Sequence, residues 1–202
     1  MLCSFLVFLL DMAIVLLLEL LHVYDYIGPI GKDLVKCFLV NAFAEELIKV
    51  GTADRVIRKE KDTVSWMDCI CYVAISSLGF QTLESFVYMF TTSPGQMIIR
   101  GLDMMHLSFG LIEGRFIGRR LKTGRKVYSV LTLAVTILIH GLYNFGLSEN
   151  VDFPFDMISL LLTVASLVFW ICMIFYIKKR KDDPEFTAPL CALDAGTCEA
   201  GE

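Results

Sequence analysis

The feature that most constrains this chain is a pair of long apolar segments that contain no acidic or basic residue. One runs from Met157 to Ile177 and the other from Val127 to Leu147. A helix needs roughly 20 such residues to cross the hydrocarbon core of a bilayer, and its backbone polar groups are then all paired within the helix. Over the whole chain 56% of the residues are hydrophobic, which is more than in an ordinary soluble domain. These observations predict a membrane protein.

Four further segments are apolar enough to extend this pattern to an all-α, polytopic membrane helix bundle with about six transmembrane helices. The six predicted segments are 2–22, 33–51, 66–90, 97–117, 127–147 and 156–177. Basic residues concentrate in the cytoplasmic loops of membrane proteins. Here they cluster after the second, fourth and sixth segments, in the ranges 55–61, 115–126 and 178–181. This alternation predicts cytoplasmic N- and C-termini, with a lipid bilayer and no nucleic acid among the partners.

The chain after the last predicted helix has a different composition. Residues 181–202 are acidic, show no helical periodicity and contain Pro184 and Pro189. Segments of this kind bury too little apolar surface to fold on their own. We therefore expect a transmembrane domain over residues 1–180 and a disordered acidic cytoplasmic tail over residues 181–202.

Ionisable residues interrupt four of the predicted membrane helices, although such residues are costly in a bilayer and usually functional. They include Glu45, Glu46 and Lys49 on the second helix, Glu84 on the third, Arg100, Asp103 and His106 on the fourth, and His140 on the fifth. With a helical rise of about 1.5 Å per residue, Glu45, Glu84, His106 and His140 lie at similar depth. We therefore expect side chains from four helices to converge on one site.

The spacing of other residues adds three expectations. His140 and Asn144 are one helical turn apart and share a face. A ladder of small residues on the fourth predicted helix lets that helix approach a neighbour closely; it consists of Gly110, Gly114 and Gly118. Glu113 and Asp68 are expected near the cytoplasmic edge, in contact with solvent.

Taken in order, these segments resemble the PrsW protease family, a relative of the type II CAAX prenyl proteases. That family is marked by EExxK on one membrane helix, FxxxE on the next, and two later histidine-bearing segments. The matching stretches here are Glu45-Glu46-x-x-Lys49, Phe80-x-x-x-Glu84, Arg100 with His106, and His140-Gly141-Leu142-Tyr143-Asn144-Phe145. The resemblance covers residues 41 to 146.

The resemblance implies that the domain over residues 1–180 is protease-like and lies in the bacterial cell membrane. It implies an intramembrane peptidase that cleaves a membrane-anchored protein substrate. In bacteria the PrsW type is associated with the destruction of an anti-sigma factor, so the implied process is regulated intramembrane proteolysis.

Peptide hydrolysis requires an activated water, a stabiliser for the oxyanion and a proton donor for the leaving amine. Two histidines and a carboxylate are a ligand set for catalytic Zn²⁺ that leaves one position open for water. Glu84, His106 and His140 are the predicted ligands. Glu45 is then the general base, and Asn144 binds the oxyanion or the substrate backbone.

The neighbouring Glu46 belongs to the same predicted catalytic group, and Lys49, one turn further on, keeps Glu46 ionised. A metal-free version uses the same residues, with Glu45 activating water while His106, His140 and Asn144 stabilise charge. Two alternatives from other classes stay open at this point. One is a non-catalytic membrane scaffold of the same superfamily, in which the polar residues join helices; the other is a small transporter, which needs a polar pathway across the whole membrane.

Overall fold

The structure, a computed structural model, describes residues 2–60, 63–90, 104–148, 150–151 and 154–191. The regular secondary structure in these ranges is helical throughout, which confirms the all-α prediction. In chain order the helices are α1 (Leu2–Leu20), α2 (Val23–Tyr26), α3 (Pro29–Leu34), α4 (Ala44–Lys59), α5 (Trp66–Tyr88), α6 (Met105–Thr123), α7 (Val127–Gly146), α8 (Phe155–Arg180) and α9 (Pro184–Thr187). A π-helical segment, Val35–Phe43, joins α3 to α4.

Two helices in the described ranges are long and apolar enough to cross a membrane. They are Val127–Gly146 and Met157–Arg180, and the second is the more apolar and the less buried by the rest of the chain. Helices α4 and α6 carry many charged residues in their C-terminal halves. Length and hydropathy therefore support two spans and do not confirm the six that the sequence predicts.

The helix with the paired glutamates is longer than predicted. The sequence predicts a helix over 33–51, whereas α3, the π segment and α4 form a continuous helical stretch from Pro29 to Lys59. It is longer because charged residues after position 51 continue the helix beyond its apolar part. The π segment ends just before Ala44 and so leads directly into Glu45. Such π-helical turns inside α-helices occur frequently at functional sites.

The fourth predicted helix extends further toward the C-terminus than predicted. The sequence predicts it over 97–117, and the described helix is Met105–Thr123. It ends where Gly124 adopts a left-handed conformation with φ of 68°, which a glycine adopts at no steric cost. The first part of the predicted helix, including Arg100 and Asp103, lies outside the described residues.

Helices α5 and α6 pack against each other more extensively than any other pair of helices in the described ranges. A Cβ atom on Gly114 would lie 2.5 Å from the carbonyl oxygen of Cys69, and one on Gly110 would lie 2.5 Å from Oγ of Ser77. A Cβ atom on Gly118 would lie 2.9 Å from the ring of Trp66. The predicted glycine ladder is confirmed, since these positions leave no room for a side chain.

Helix α7 packs against both the π segment and α6. The ring of Phe38, in the π segment, lies so close to Gly141 that a Cβ atom there would overlap it. This contact places the α7 backbone beside the helix that carries Glu45. It involves the residue directly after His140, so the fold fixes that histidine next to the paired glutamates.

Charged residues join α4 to α6 at the end away from the π segment. The Arg120 guanidinium donates two hydrogen bonds to the carboxylate of Asp54, which also accepts one from Arg58. Burial raises the pKa of the Asp54 carboxyl, but these hydrogen bonds outweigh it and hold the pKa below its usual value. The ion pair therefore fixes the relative position of two helices that also carry site residues.

The first part of the predicted tail packs against this end of the bundle. Phe186 and Leu190 are both buried, and the backbone N–H of Leu190 donates to the carbonyl of Val64 at 2.9 Å. Residues 184–190 are thus ordered against α5 and its neighbours. Residues 192–202 of the predicted tail lie outside the described residues.

Candidate active site

Three buried side chains from three helices meet in the interior of the bundle. Glu45, His106 and His140 each present one ligand atom, and these atoms lie within 4.8 Å of one another. Oε2 of Glu45 is 3.7 Å from Nε2 of His140 and 4.0 Å from Nε2 of His106. The two imidazole rings pack edge to face, with 4.9 Å between their centroids. The predicted convergence of residues distant in sequence is present in the structure.

Each of these residues occupies a different place on its helix. Glu45 lies in the first turn of α4, directly after the π segment, and His106 lies in the first turn of α6. His140 lies two turns before the end of α7. The site therefore forms where the beginnings of two helices meet the final turns of a third.

Glu46 connects the second histidine to a buried lysine. Its Oε1 is 2.7 Å from Nδ1 of His140 and 2.7 Å from Nζ of Lys49. Glu46 and Lys49 are both completely buried. Because an ionised carboxylate only accepts hydrogen bonds, a neutral His140 carries its proton on Nδ1. Its Nε2 then presents a lone pair toward Glu45.

The first histidine bridges Lys49 and a third carboxylate. Nδ1 of His106 is 2.8 Å from Nζ of Lys49, and its Nε2 is 2.9 Å from Oε2 of Glu84. A lysine ammonium group has donors and no acceptor, so Nδ1 of His106 accepts. The proton of a neutral His106 therefore sits on Nε2 and is donated to Glu84.

The space between Glu45 and His140 lacks a hydrogen-bond donor. Oε2 of Glu45 is buried and has no hydrogen-bond partner in the described part of the chain. It faces the Nε2 lone pair of His140 at 3.7 Å. Two acceptors that face each other in an apolar interior require a proton, a water or a cation between them. This arrangement suits an activated water or a metal ion.

Aromatic rings close two sides of the site. The ring of Phe80 packs edge to face on His106, with 5.2 Å between centroids, and Nζ of Lys49 lies 5.2 Å from the same ring. Phe109 packs against His140 at 5.9 Å. These rings lower the local dielectric and strengthen the electrostatic interactions among the charged groups.

The structure places Glu45 closer to the pair of histidines than the predicted metal-ligand set assumes. We predicted Glu84 as the third metal ligand, but the group whose ligand atoms lie close together contains Glu45 instead. Glu84 approaches His106 from α5 and forms a hydrogen bond with the same Nε2 that a metal would use. Asn144 lies one turn after His140, and its backbone carbonyl accepts a hydrogen bond from the backbone N–H of Leu147.

The prediction that Glu113 contacts solvent is wrong. Its side chain is buried because α6 packs this face against α7, where Oε1 of Glu113 lies 2.7 Å from Oγ1 of Thr136. The contact of Lys49 with His106 was also not predicted. Helical spacing could have indicated the contact of Glu113 with Thr136, because Glu113 follows His106 by two turns and Thr136 precedes His140 by one turn. Neither spacing nor composition in the sequence indicates the contact of Lys49 with His106.

Comparison with known proteins gives one consistent result. Residues 1–176 match the family described as PrsW family intramembrane metalloprotease. The chain is 28% identical over 153 residues to the Protease PrsW of Oceanobacillus iheyensis, covering 74% of this chain and 69% of that protein. It is 26% identical over 171 residues to the Protease PrsW of Clostridioides difficile, covering 80% of this chain and 70% of that protein. No solved structure matches this chain.

Proposed function

Since this chain belongs to the PrsW family of intramembrane metalloproteases and is a membrane protease, we propose that it hydrolyses a peptide bond at the site formed by Glu45, His106 and His140. The observation that carries this proposal is the convergence of their ligand atoms within 4.8 Å. These residues come from separate helices and are distant in sequence, and each is buried. A buried, convergent set of this kind is what activation of a water molecule requires.

Glu45 is the proposed general base. Its carboxylate takes a proton from a water molecule, and the water oxygen forms a bond to the carbonyl carbon of the scissile peptide. The electron pair of the carbonyl bond moves to the oxygen, where hydrogen-bond donors stabilise the negative charge. Asn144, one turn from His140, is the proposed donor. The C–N bond then breaks, and Glu45 returns the proton to the leaving nitrogen.

Glu46, Lys49 and Glu84 are proposed to orient the two histidines. Glu46 holds the Nδ1 proton of His140, so that Nε2 of this ring faces Glu45. Lys49 and Glu84 hold the two ring nitrogens of His106. A histidine whose second nitrogen is fixed in this way keeps both its tautomer and its ring orientation.

The residues of the site fit a zinc ion. Zinc–ligand bonds of about 2.0–2.1 Å in a tetrahedral arrangement place the ligand atoms roughly 3.3 Å apart, close to the 3.7 and 4.0 Å between Glu45 and the two histidines. Oε2 of Glu45 has no other partner. We propose Glu45, His106 and His140 as the ligands, where Glu45 would bind the ion through Oε2 and keep its other carboxylate oxygen as the base. A bound zinc would lower the pKa of its water and polarise the substrate carbonyl.

One contact favours a metal-free version of the same hydrolysis. Lys49 donates to Nδ1 of His106, whereas a metal-bound histidine almost always donates from that second nitrogen. In this version Glu45 alone activates the water. His106 and His140, together with Asn144, stabilise the oxyanion.

The proposed substrate is a membrane-anchored protein of the anti-sigma-factor type, and the surrounding bilayer is the other partner. The site is buried among helices, so the scissile bond must reach it from within the membrane or from its edge. To test this, the chain and an anti-sigma factor with one membrane helix are reconstituted into liposomes in H₂¹⁸O. We expect two fragments, with ¹⁸O in the new C-terminal carboxylate. Absence of fragments with this substrate, or fragments without ¹⁸O, contradicts the proposal.

We further propose six membrane helices with both termini in the cytoplasm of a bacterial cell, and a domain boundary after residue 180. The basic residues 178–181 at the end of α8 support this orientation. A phosphatase reporter fused after Arg180, active only outside the cytoplasm, is expected to be inactive. A fluorescent reporter at the same position, which folds only in the cytoplasm, is expected to be bright, and the opposite pair of results excludes this topology.

A further inference from the structure

A fourth carboxyl group lies next to the proposed site, and the proposed reaction does not use it. Glu113 is 2% exposed and lies on α6 two turns after His106, on the same face of the helix. Its Oε1 contacts Oγ1 of Thr136, which lies on α7 one turn before His140. The contact therefore joins the two helices that carry the histidines.

The hydrogen bonds of Thr136 indicate where the proton of this pair lies. Oγ1 of Thr136 is 2.7 Å from Oε1 of Glu113 and 3.0 Å from the carbonyl oxygen of Leu133. A threonine hydroxyl has only one proton to donate. One proton shared between the two oxygens gives two weakened hydrogen bonds, whereas a proton on the Glu113 carboxyl allows both contacts to be full hydrogen bonds. The carboxyl then donates to Thr136, which donates to Leu133.

The surroundings of Glu113 also favour a neutral group. Its second oxygen, Oε2, is buried without a hydrogen-bond partner among the described residues. Thr136 lines an apolar groove of about 200 Å³ between α6 and α7. The apolar side chains along this groove are Phe109, Ile112, Phe116, Leu131, Val135 and Ile139. A buried ionised carboxylate with a single hydrogen bond is strongly destabilised.

Among the described residues, the charged groups with the largest electrostatic effect on Glu113 are Glu46 and Lys49 on α4 and His106 on its own helix. Lys49 already donates to Glu46 and His106. A negative charge on Glu113 would attract Lys49 away from these partners and would repel Glu46. A neutral Glu113 leaves the Lys49 contacts undisturbed.

We infer that Glu113 is a positioning residue that acts as a neutral carboxylic acid, fixing α6 to α7 through Thr136 and leaving Lys49 to Glu46 and His106. Its effect on catalysis rests on the proposed function, whereas its protonation does not. Infrared spectroscopy tests the protonation directly. The difference spectrum between the wild-type protein and Glu113→Gln is expected to show the C=O stretching band of a carboxylic acid at roughly pH 7 to 9, above the ordinary glutamate pKa of about 4.3. A carboxylate band in its place overturns the inference.

Activity of the reconstituted protein tests the positioning. Thr136→Val removes the hydroxyl while keeping the side-chain shape, and it is expected to lower kcat about tenfold or more with little change in KM, because small displacements of catalytic groups have effects of this size. Thr132→Val, one turn earlier on α7, is the matched control, because in the described part of the chain its hydroxyl donates to the Tyr128 carbonyl of its own helix. Glu113→Gln, whose amide also donates to Thr136, is expected to retain much more activity than Glu113→Ala.

The possible results separate this inference from the proposed function. If Glu113→Gln is as inactive as Glu113→Ala, or if Thr136→Val matches its control, the positioning role is wrong. If the wild-type protein cleaves no substrate while the carboxylic acid band is present, the proposed function fails and the neutral state of Glu113 stands.

Discussion

Glu45→Gln is expected to abolish cleavage of a membrane-anchored substrate, with kcat reduced about a thousandfold or more. Glutamine keeps the size of the side chain but cannot accept a proton from water. Oε2 of Glu45 has no hydrogen-bond partner in the described part of the chain. The substitution therefore removes no hydrogen bond of this oxygen. The protein should therefore fold and insert normally. The measurement is the initial rate of fragment formation in liposomes that contain equal amounts of folded protein.

Glu60→Gln provides the matched control for this experiment. It makes the same chemical change on an exposed residue just after the last turn of α4, and its cleavage rate should stay near that of the wild-type protein. A well-folded Glu45→Gln protein that cleaves at a near-wild-type rate contradicts the role of Glu45 as general base. The scaffold alternative makes a different forecast, because in a scaffold the substitution affects assembly with partners and no cleavage occurs at all.

Removal of divalent metal is expected to abolish cleavage, and addition of Zn²⁺ is expected to restore it. The physical reason is that Glu45, His106 and His140 supply a three-ligand set of the kind that holds a catalytic zinc. The purified protein should contain about one zinc per chain by elemental analysis. His140→Ala should lose both the zinc and the activity, while Glu60→Gln should keep both.

Full activity in protein shown to be free of metal contradicts the zinc version. In that case the contact between Lys49 and His106 is the relevant observation, because it leaves the His106 proton on the nitrogen that a metal would need. The metal-free version of the hydrolysis then stands, with the same residues and with Glu45 still essential.

The sequence was sufficient to predict that Glu45, His106 and His140 converge but not the contacts that they make. Glu45, His106 and His140 were recognisable because ionisable residues in apolar helices are rare, and because their estimated depths agree. The glycine ladder was predictable for a similar reason, since small residues at one-turn intervals have few uses other than close packing.

Two features of the site depend on tertiary packing that helical periodicity does not encode. The grouping of Glu45, and not Glu84, with both histidines depends on how α4 and α5 pack around His106. The burial of Glu113 depends on α7 covering that face of α6. Because Glu113 lies close to the charged residues at the end of α6, the sequence predicted that its side chain contacts solvent.

The helix boundaries illustrate the same limit. Hydropathy predicted the ends of α7 closely, because that helix is apolar along its whole length. It failed for α4 and α6, where charged residues continue the helix and Gly124 ends the second of them. In these two helices, hydrogen bonding and capping set the boundaries.

The central claim is that Glu45 and His140 act in one hydrolytic site, and a double-mutant cycle on kcat tests it most directly. Groups that act as a unit show strongly non-additive losses when they are removed. Glu45→Gln and His140→Ala should each lower kcat about a thousandfold, and the double variant should be no more than about tenfold worse than either one. Losses that multiply to about a millionfold in the double variant would show two independent contributions, and they would contradict a single site.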